Sequence, residues 1–199
     1  MTIREAVVPV LALLMTTVCG LAAGEVVQIV AWDGEREAKG AGWTNVTGGG
    51  FVTVQPQTEV AHSGNTALEM RAKGQKWLGA GWNWVGFAKR EGTDVRTMKN
   101  FVFWVKRSGQ AGDLLINLLC GGEVFDTPEH HTAKVRLINY CPELHDGAWH
   151  RVVIPLADLQ TVPGFDFTKV CEVQMGMMAK APVDCSFYFD DIGFEAGGE

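Results

Sequence analysis

Asn100–Lys106, which reads NFVFWVK, shows most plainly what kind of fold this chain adopts. Side chains point alternately to the two faces of a β-strand, so the odd-numbered residues from Phe101 to Val105 share one face. Val102 and Trp104 share the opposite face. Because both faces are apolar, the pattern predicts a strand that is covered on both sides by other parts of the protein.

Short runs of the same kind recur on both sides of this stretch, separated by turn-rich pieces such as His62–Asn65. No segment after residue 25 shows the repeat of a long helix. Many short strands at fairly regular spacing are typical of a β-sandwich or barrel, so the sequence predicts an all-β domain. The predicted strands are Val26–Trp32, Gly50–Pro56, Thr66–Ala72, Leu78–Phe87, Asn100–Lys106, Asp113–Cys120, Ala133–Tyr140, Trp149–Pro155, Val170–Met178 and Ser186–Glu195.

The first 24 residues have the order of features that marks a secretory signal peptide. Arg4 precedes the almost wholly apolar run Ala6–Val18, and small residues follow in Cys19–Gly24. The apolar run is shorter than the roughly 20 residues of a membrane span. We expect cleavage after residue 23 or 24, a mature domain of residues 25–199 without a transmembrane segment, and a secreted, periplasmic or cell-envelope location. A lipoprotein modified at Cys19 and a buried apolar helix are the competing interpretations.

The charge balance argues against two classes of partner. The formal net charge is −6, and no cluster of Lys and Arg is present. Proteins that bind nucleic acid or anionic membranes usually carry such a basic patch. We therefore expect neither partner.

Four cysteines follow the predicted cleavage site: Cys120, Cys141, Cys171 and Cys185. An even number of cysteines in an exported protein permits two disulfides, for which three pairings exist. Buried free thiols, which pack as small apolar groups, are the alternative. The sequence leaves both open.

Four segments, in this order, resemble a jelly-roll carbohydrate-binding module of the galactose-binding-like type. They are Ile29–Gly34, His62–Leu68, Trp149–Leu159 and Phe187–Ile192. The nearest pattern is that of the family 11 carbohydrate-binding modules. The resemblance implies a jelly-roll β-sandwich of two antiparallel sheets and a non-catalytic protein that binds a polysaccharide or oligosaccharide. The same scaffold also serves other functions, so an envelope protein-interaction or assembly domain is the alternative.

A structural calcium ion is also implied by this resemblance. Calcium takes about six to eight oxygen ligands, with carboxylates and carbonyls mixed. The matching residues are Asp33 and Asp190, with Glu35 nearby and Asn65 in the turn. The alternative is that Asp190 only caps a strand or accepts hydrogen bonds from loop amides.

The densest aromatic segment, Lys76–Trp84, predicts a ligand-binding face. Alternation places Trp77 and Asn83 with two glycines on one face, and we expect a shallow trough there with both side chains contacting a glycan. Trp82 and Trp84 fall on the other face and are predicted to be core. Further candidate contacts are Gln174, Arg136 and Tyr140 on one strand, and Asp126 and His131 in a polar loop. Residues 176–178 lack the aromatic expected from the family.

An enzyme is the less favoured interpretation. The sequence has no HExxH zinc motif, no GxSxG nucleophile elbow and no glycine-rich phosphate loop. Two distant carboxylates can still meet in a folded protein, so a small glycan hydrolase or lyase stays open.

Overall fold

The period-two runs of the sequence form strands in the computed structural model, which describes residues 28–35, 40–86, 92–121, 130–159 and 163–197. The predicted signal peptide, residues 1–24, and the candidate contact Asp126 lie outside these residues. No helix within them is long and apolar enough to cross a membrane. The described elements are β1 (Gln28–Trp32), β2 (Ala41–Val46), β3 (Gly50–Gln57), β4 (Ala67–Asn83), β5 (Asn100–Gln110), β6 (Leu115–Cys120), β7 (Val135–Arg136), β8 (His150–Pro155) and β9 (Val170–Glu195), with short 3-10 helices at Leu137–Asn139 and Pro142–Asp146.

The strands form a sandwich whose two layers share β4 and β9. The front layer has the order β2–β4–β9–β6–β7 and uses the second half of β4 and the first half of β9. The back layer has the order β3–β4–β9–β5–β8, and β1 pairs with the end of β9. All these pairings are antiparallel, so the predicted all-β jelly-roll fold is confirmed.

Two predicted pairs of strands are in fact single long strands. β4 continues through the predicted gap between Ala72 and Leu78, and β9 contains both of the last two predicted strands. β4 passes between layers at a bulge after Gly74, where Gly74 and Lys76 have φ angles of 141° and 66°. A Cβ on Gly74 would lie 2.6 Å from the carbonyl oxygen of Gly49. Gly74 therefore marks a bend within β4, whereas the sequence pattern suggested that a strand ends there.

One apolar cluster fills the space between the layers. Trp82 and Trp84 belong to it, as predicted, together with Phe101 and Phe103 of the stretch that first indicated the fold. Fully burying a Phe or Leu side chain contributes about 1.5–3 kcal/mol to folding. Because the side chains of both layers that point into this cluster are buried, the opposite face of each strand points outward.

The four described cysteines are buried free thiols, so the disulfide interpretation is wrong for them. Burial raises the pKa of Cys171 to about 12 and that of Cys185 to about 11. These two thiols pack as small apolar groups and are unreactive near neutral pH.

Near the front layer, the structure contains one strand that was not predicted and shortens another that was. β2 was not predicted, because its sequence AGWTNV is short and only weakly alternating. The strand predicted at Ala133–Tyr140 is wrong beyond Arg136, because the chain turns into a 3-10 helix at Leu137–Asn139.

Candidate functional site

The outer face of the front layer brings aromatic, glycine and polar residues together. Leu78 and Ala80 of β4 point into the core, so Trp77, Gly79 and Gly81 point outward. Residues paired across neighbouring strands stand side by side on one face of a sheet. The outward rows are Trp43–Gly81–Gln174–Asn117 and Asn45–Gly79–Gly176–Leu115.

Gly79, Gly81 and Gly176, here called the glycine floor, leave room for two indole rings to rest against the sheet. A Cβ on Gly79 would lie 2.8 Å from Trp77 Nε1, and one on Gly176 would lie 2.4 Å from Trp77 Cη2. A Cβ on Gly81 would lie 2.3 Å from Trp43 Nε1. Any larger residue would displace these rings, so the glycine floor sets the height of both rings, meaning their distance from the sheet.

A chain of hydrogen bonds fixes the polar side chains beside the rings. Trp43 Nε1 donates to Glu172 Oε1 over 2.7 Å, and Gln174 Nε2 donates to the same oxygen over 3.0 Å. Asn117 Nδ2 donates to Gln174 Oε1 over 3.1 Å. Because Trp43 Nε1 donates to the buried Glu172, the network also holds the Trp43 ring in place.

Glu172 is the unusual member of this network because its side chain is fully buried. Its second oxygen, Oε2, has no hydrogen-bond partner within the described part of the protein. Burial raises the pKa of Glu172, and the hydrogen bonds from Trp43 and Gln174 oppose that rise. An unpartnered buried acceptor costs roughly 1–3 kcal/mol, so the network holds Glu172 in place at some cost to stability.

These residues line a cleft of about 660 Å³. At its border, Lys134 Nζ lies 4.8 Å from the centroid of the Trp77 ring, in a cation–π contact. The cleft thus combines apolar ring surfaces with hydrogen-bonding groups. Its lining residues are Trp43, Thr44, Asn45, Trp77, Ala80, Leu115, Asn117, Leu119, His131, Thr132, Lys134, Glu172, Gln174, Met175 and Gly176.

Three of the candidate contacts from the sequence, Trp77, Gln174 and His131, lie in this cleft. Asn83 does not line it. Asn83 is buried, its Nδ2 lies 3.6 Å from Cys171 Sγ, and its Oδ1 accepts a hydrogen bond from the Val85 amide.

Arg136 and Tyr140 are not brought together as the sequence suggested. The two residues lie on different elements, since only Arg136 is in β7. Arg136 forms an ion pair with Asp113, and the Tyr140 hydroxyl bonds to Asp158. Neither residue lines the cleft.

Two of the carboxylates predicted to bind calcium, those of Glu35 and Asp190, reach the His62–Asn65 turn, where backbone amides already donate to their oxygens. Asp190 Oδ2 accepts the amides of His62 and Ser63 over 2.8 and 3.0 Å, and its Oδ1 accepts the Asp191 amide. Glu35 Oε1 accepts the amides of Asn65 and Thr66 over 2.7 and 2.8 Å.

This arrangement does not fit a calcium ion without rearrangement. Within the described residues, the carboxylates of Asp33, Glu35 and Asp190 do not all lie within 4.8 Å of one another. Asp190 is also fully buried, and this burial raises its pKa. The amide donors perform the task expected of the ion, which is to tie the turn to the last strand.

Sequence reasoning missed Trp43, Glu172 and Asn117. Trp43 and Asn117 stand beside Gly81 and Gln174 only through cross-strand register, whereas Glu172 lies two residues before Gln174 on the same strand. Trp43 had a weak signal of its own, because it is a large aromatic residue between Gly42 and Thr44. Glu172 sits in an apolar strand, where a lone acid is the kind of exception that points to a site.

Comparison with known proteins places this geometry in context. A family 11 carbohydrate-binding module from Clostridium thermocellum, solved with a β-1,3-1,4-mixed-linked tetrasaccharide, superposes with a TM-score of 0.59 at 13% identity, covering 86% of this chain and 96% of that one. A family 30 module of the cellulosomal cellulase Cel9D-Cel44B of the same organism gives 0.59 at 20% identity, covering 79% and 92%. These identities establish the fold alone.

An enzyme also contains a similar domain. A β-1,2-glucanase from Parabacteroides distasonis superposes with a TM-score of 0.62 at 17% identity, covering 80% of this chain but 23% of that one. No curated protein matches this chain in sequence. The family model described as carbohydrate binding domain 30 matches residues 31–196, and the chain therefore belongs to the carbohydrate binding domain 30 family.

Proposed function

We propose that the chain is an exported, non-catalytic module that binds a β-linked glucan chain in the cleft of the front layer. The observation that carries this proposal is the pair of indole rings, Trp43 and Trp77, held against the glycine floor. Aromatic rings pack well against the C–H faces of sugar rings, because both surfaces are flat and apolar. The family 11 module in complex with a mixed-linked tetrasaccharide supports the choice of a β-glucan.

The two rings suit neighbouring sugars of one chain. Gly79 and Gly81, on which the rings rest, are two residues apart, which is about 7 Å along the strand. A β-linked glucan has its substituents close to the plane of each sugar ring, so successive rings present extended faces to such a surface.

The polar part of the cleft supplies orientation. Glu172 is fully buried and acts through its neighbours: its Oε1 accepts hydrogen bonds from Trp43 and Gln174 and holds both side chains at the cleft. Apolar stacking thus gives affinity, and Gln174, which this network orders at the cleft, offers its amide group to sugar hydroxyls.

The cleft favours binding over hydrolysis. Glycoside hydrolysis usually requires two carboxyl groups on opposite sides of the scissile bond. Among the described residues that line the cleft, Glu172 is the single carboxylate. In the glucanase, the similar domain accounts for 23% of that chain, so the likeness extends to a part of that enzyme.

Export and calcium belong to the proposal as separate parts. Export is supported by the order of charge, apolar run and small residues in the first 24 positions. Calcium is supported by the sequence resemblance, and an ion at the His62–Asn65 turn would have to displace backbone amides from the carboxylates of Glu35 and Asp190.

The test is isothermal calorimetry and affinity electrophoresis over a panel of soluble β-glucans and unrelated polysaccharides. Trp43→Ala and Trp77→Ala should each weaken binding by roughly 2 kcal/mol, or about 30-fold in Kd. The control is Phe51→Ala, since Phe51 is an exposed aromatic of the back layer. Phe51→Ala should bind as the wild type does.

Three outcomes contradict the proposal. Folded wild-type protein that binds no glycan of the panel would remove it, and a stoichiometric protein partner insensitive to sugars would favour the assembly alternative. Product release from the panel would show an enzyme instead.

A further inference from the structure

A second cluster of chemically reactive side chains lies outside the cleft. Cys141, Glu143 and His150 place one ligand atom each within 4.8 Å of one another. None of the three lines the cleft. A thiol, a carboxylate and an imidazole gathered this closely form a mixed sulfur, oxygen and nitrogen donor set.

The backbone holds this cluster from two directions. The Cys141 amide donates to the Leu137 carbonyl over 3.0 Å, and the Cys141 carbonyl accepts the Leu144 amide over 3.3 Å. Glu143 lies in the adjoining 3-10 helix, Pro142–Asp146. His150 begins β8 and is paired with Val105 of β5. Ligands from two fixed elements are thus brought together before any ion binds.

The charges around the cluster favour a cation. The carboxylates of Glu143 and Asp146 both act electrostatically on Cys141. Asp146 Oδ1 lies 2.8 Å from His150 Nε2 and also accepts the Ala148 amide over 2.7 Å. A carboxylate bonded to a ligating histidine is a common arrangement around protein-bound metals, where it orients the ring.

We propose that Cys141, Glu143 and His150 bind one divalent transition-metal ion of borderline softness, for which Zn²⁺ is the probe. Zinc accepts sulfur, imidazole nitrogen and carboxylate oxygen, whereas calcium requires oxygen ligands. Three protein ligands leave a fourth position for water. Binding forms three metal–ligand bonds and releases the thiol proton of Cys141 to solvent, without any change of oxidation state.

The ion would join the start of β8 to the turn that precedes it. Because the unfolded chain does not hold these three residues together, bound metal stabilises the folded state by mass action. This inference is independent of glycan binding, since the two sites share no residue.

The test uses the full chain without an affinity tag, freed of metal by a chelator and then dialysed. We expect one Zn²⁺ per chain by calorimetry, and a higher melting temperature with Zn²⁺ than with Ca²⁺. Co²⁺ in place of Zn²⁺ should give a thiolate-to-cobalt charge-transfer band, which reports the Cys141 bond directly.

Three variants and a matched control locate the ion. Cys141→Ser should abolish the charge-transfer band, and Glu143→Gln and His150→Gln should each weaken Zn²⁺ binding at least about tenfold. Glu143 is exposed, so that variant stays informative if the buried Cys141→Ser fails to fold. The control is His145→Gln, because His145 lies in the same turn with its Nδ1 on the Pro142 carbonyl. It should bind Zn²⁺ as the wild type does.

The proposal is overturned if the wild type binds no Zn²⁺. It is equally overturned if Zn²⁺ binds with unchanged affinity in both Glu143→Gln and His150→Gln. Glycan calorimetry on the same samples tests the proposed function separately, because the metal site and the cleft share no residue.

Discussion

The height of the Trp77 ring depends on Gly176, a residue of the neighbouring strand, and this dependence gives the most specific prediction. In Gly176→Ala the new Cβ would lie 2.4 Å from Trp77 Cη2 and 2.7 Å from Cζ2. Carbon atoms in contact prefer about 3.5–4.0 Å, so the ring must move outward by about 1 Å or more. Gly176 has no positive φ, so the backbone itself accepts alanine.

The expected loss follows from what the displaced ring can no longer contact. Removing a buried interface tryptophan typically costs about 2 kcal/mol or more. A ring that is lifted and tilted retains part of its contacts, so we expect a loss of about 1.4 kcal/mol, or about tenfold in Kd. Isothermal calorimetry with the best β-glucan of the panel measures it.

A matched glycine separates this effect from a general effect of adding a methyl group. In Gly112→Ala the nearest atom to the new Cβ is Met177 Sδ, at 3.8 Å, an ordinary contact. This variant should keep wild-type affinity, and both variants should melt near the wild-type temperature. If Gly176→Ala binds as tightly as the wild type while Trp77→Ala does not, the glycine floor has no part in recognition.

Three further predictions concern the cleft border, the buried acid and the turn. Burial raises the pKa of Glu172 above its ordinary value of 4.5, so the stability it contributes is present below pH 4.5 and is lost as pH rises through the folded-state pKa. In thermal melts across pH, Glu172→Gln should reduce that fall relative to the wild type; parallel curves would argue against it. Lys134→Gln should tighten glycan binding about two- to fivefold, as measured by calorimetry. The reason is that it removes a cation–π contact of about 0.5–1 kcal/mol, which competes with the sugar for the face of Trp77. Weaker binding would mean that Lys134 contacts the sugar. If calcium is bound near Asp190, chelation should lower the melting temperature. Identical melts in chelator and in calcium would mean that hydrogen bonds tie the turn to β9 without an ion.

Alternation along single strands was enough to predict much of the fold. It assigned Trp82 and Trp84 to the core and Trp77 to the opposite face, and the structure agrees. It also indicated an all-β architecture, while the resemblance supplied the jelly roll. Both inferences use local sequence or order along the chain, and neither requires knowing which strands pair.

Cross-strand register is the part that the sequence could not supply. The glycines beside Trp77 suggested an empty trough, but indole rings rest on them. The absence of an aromatic at residues 176–178 counted against glycan binding. In the structure Gly176 is the place where Trp77 lies, because Gly79 and Gly176 are paired across β4 and β9. An aromatic at position 176 would exclude the ring that is there.

The same two strands explain why the anchored turn bears on the cleft. β4 begins at Ala67, directly after the turn that Asp190 and Glu35 hold by its amides, and it ends beside the cleft at Asn83. β9 carries Gly176 in one half and Asp190 in the other. Sliding one strand by a single residue would turn every side chain to the other face. By tying the start of β4 to β9, the hydrogen bonds to Asp190 oppose such a slip and thereby help to keep Gly79 opposite Gly176, on which the position of the Trp77 ring depends.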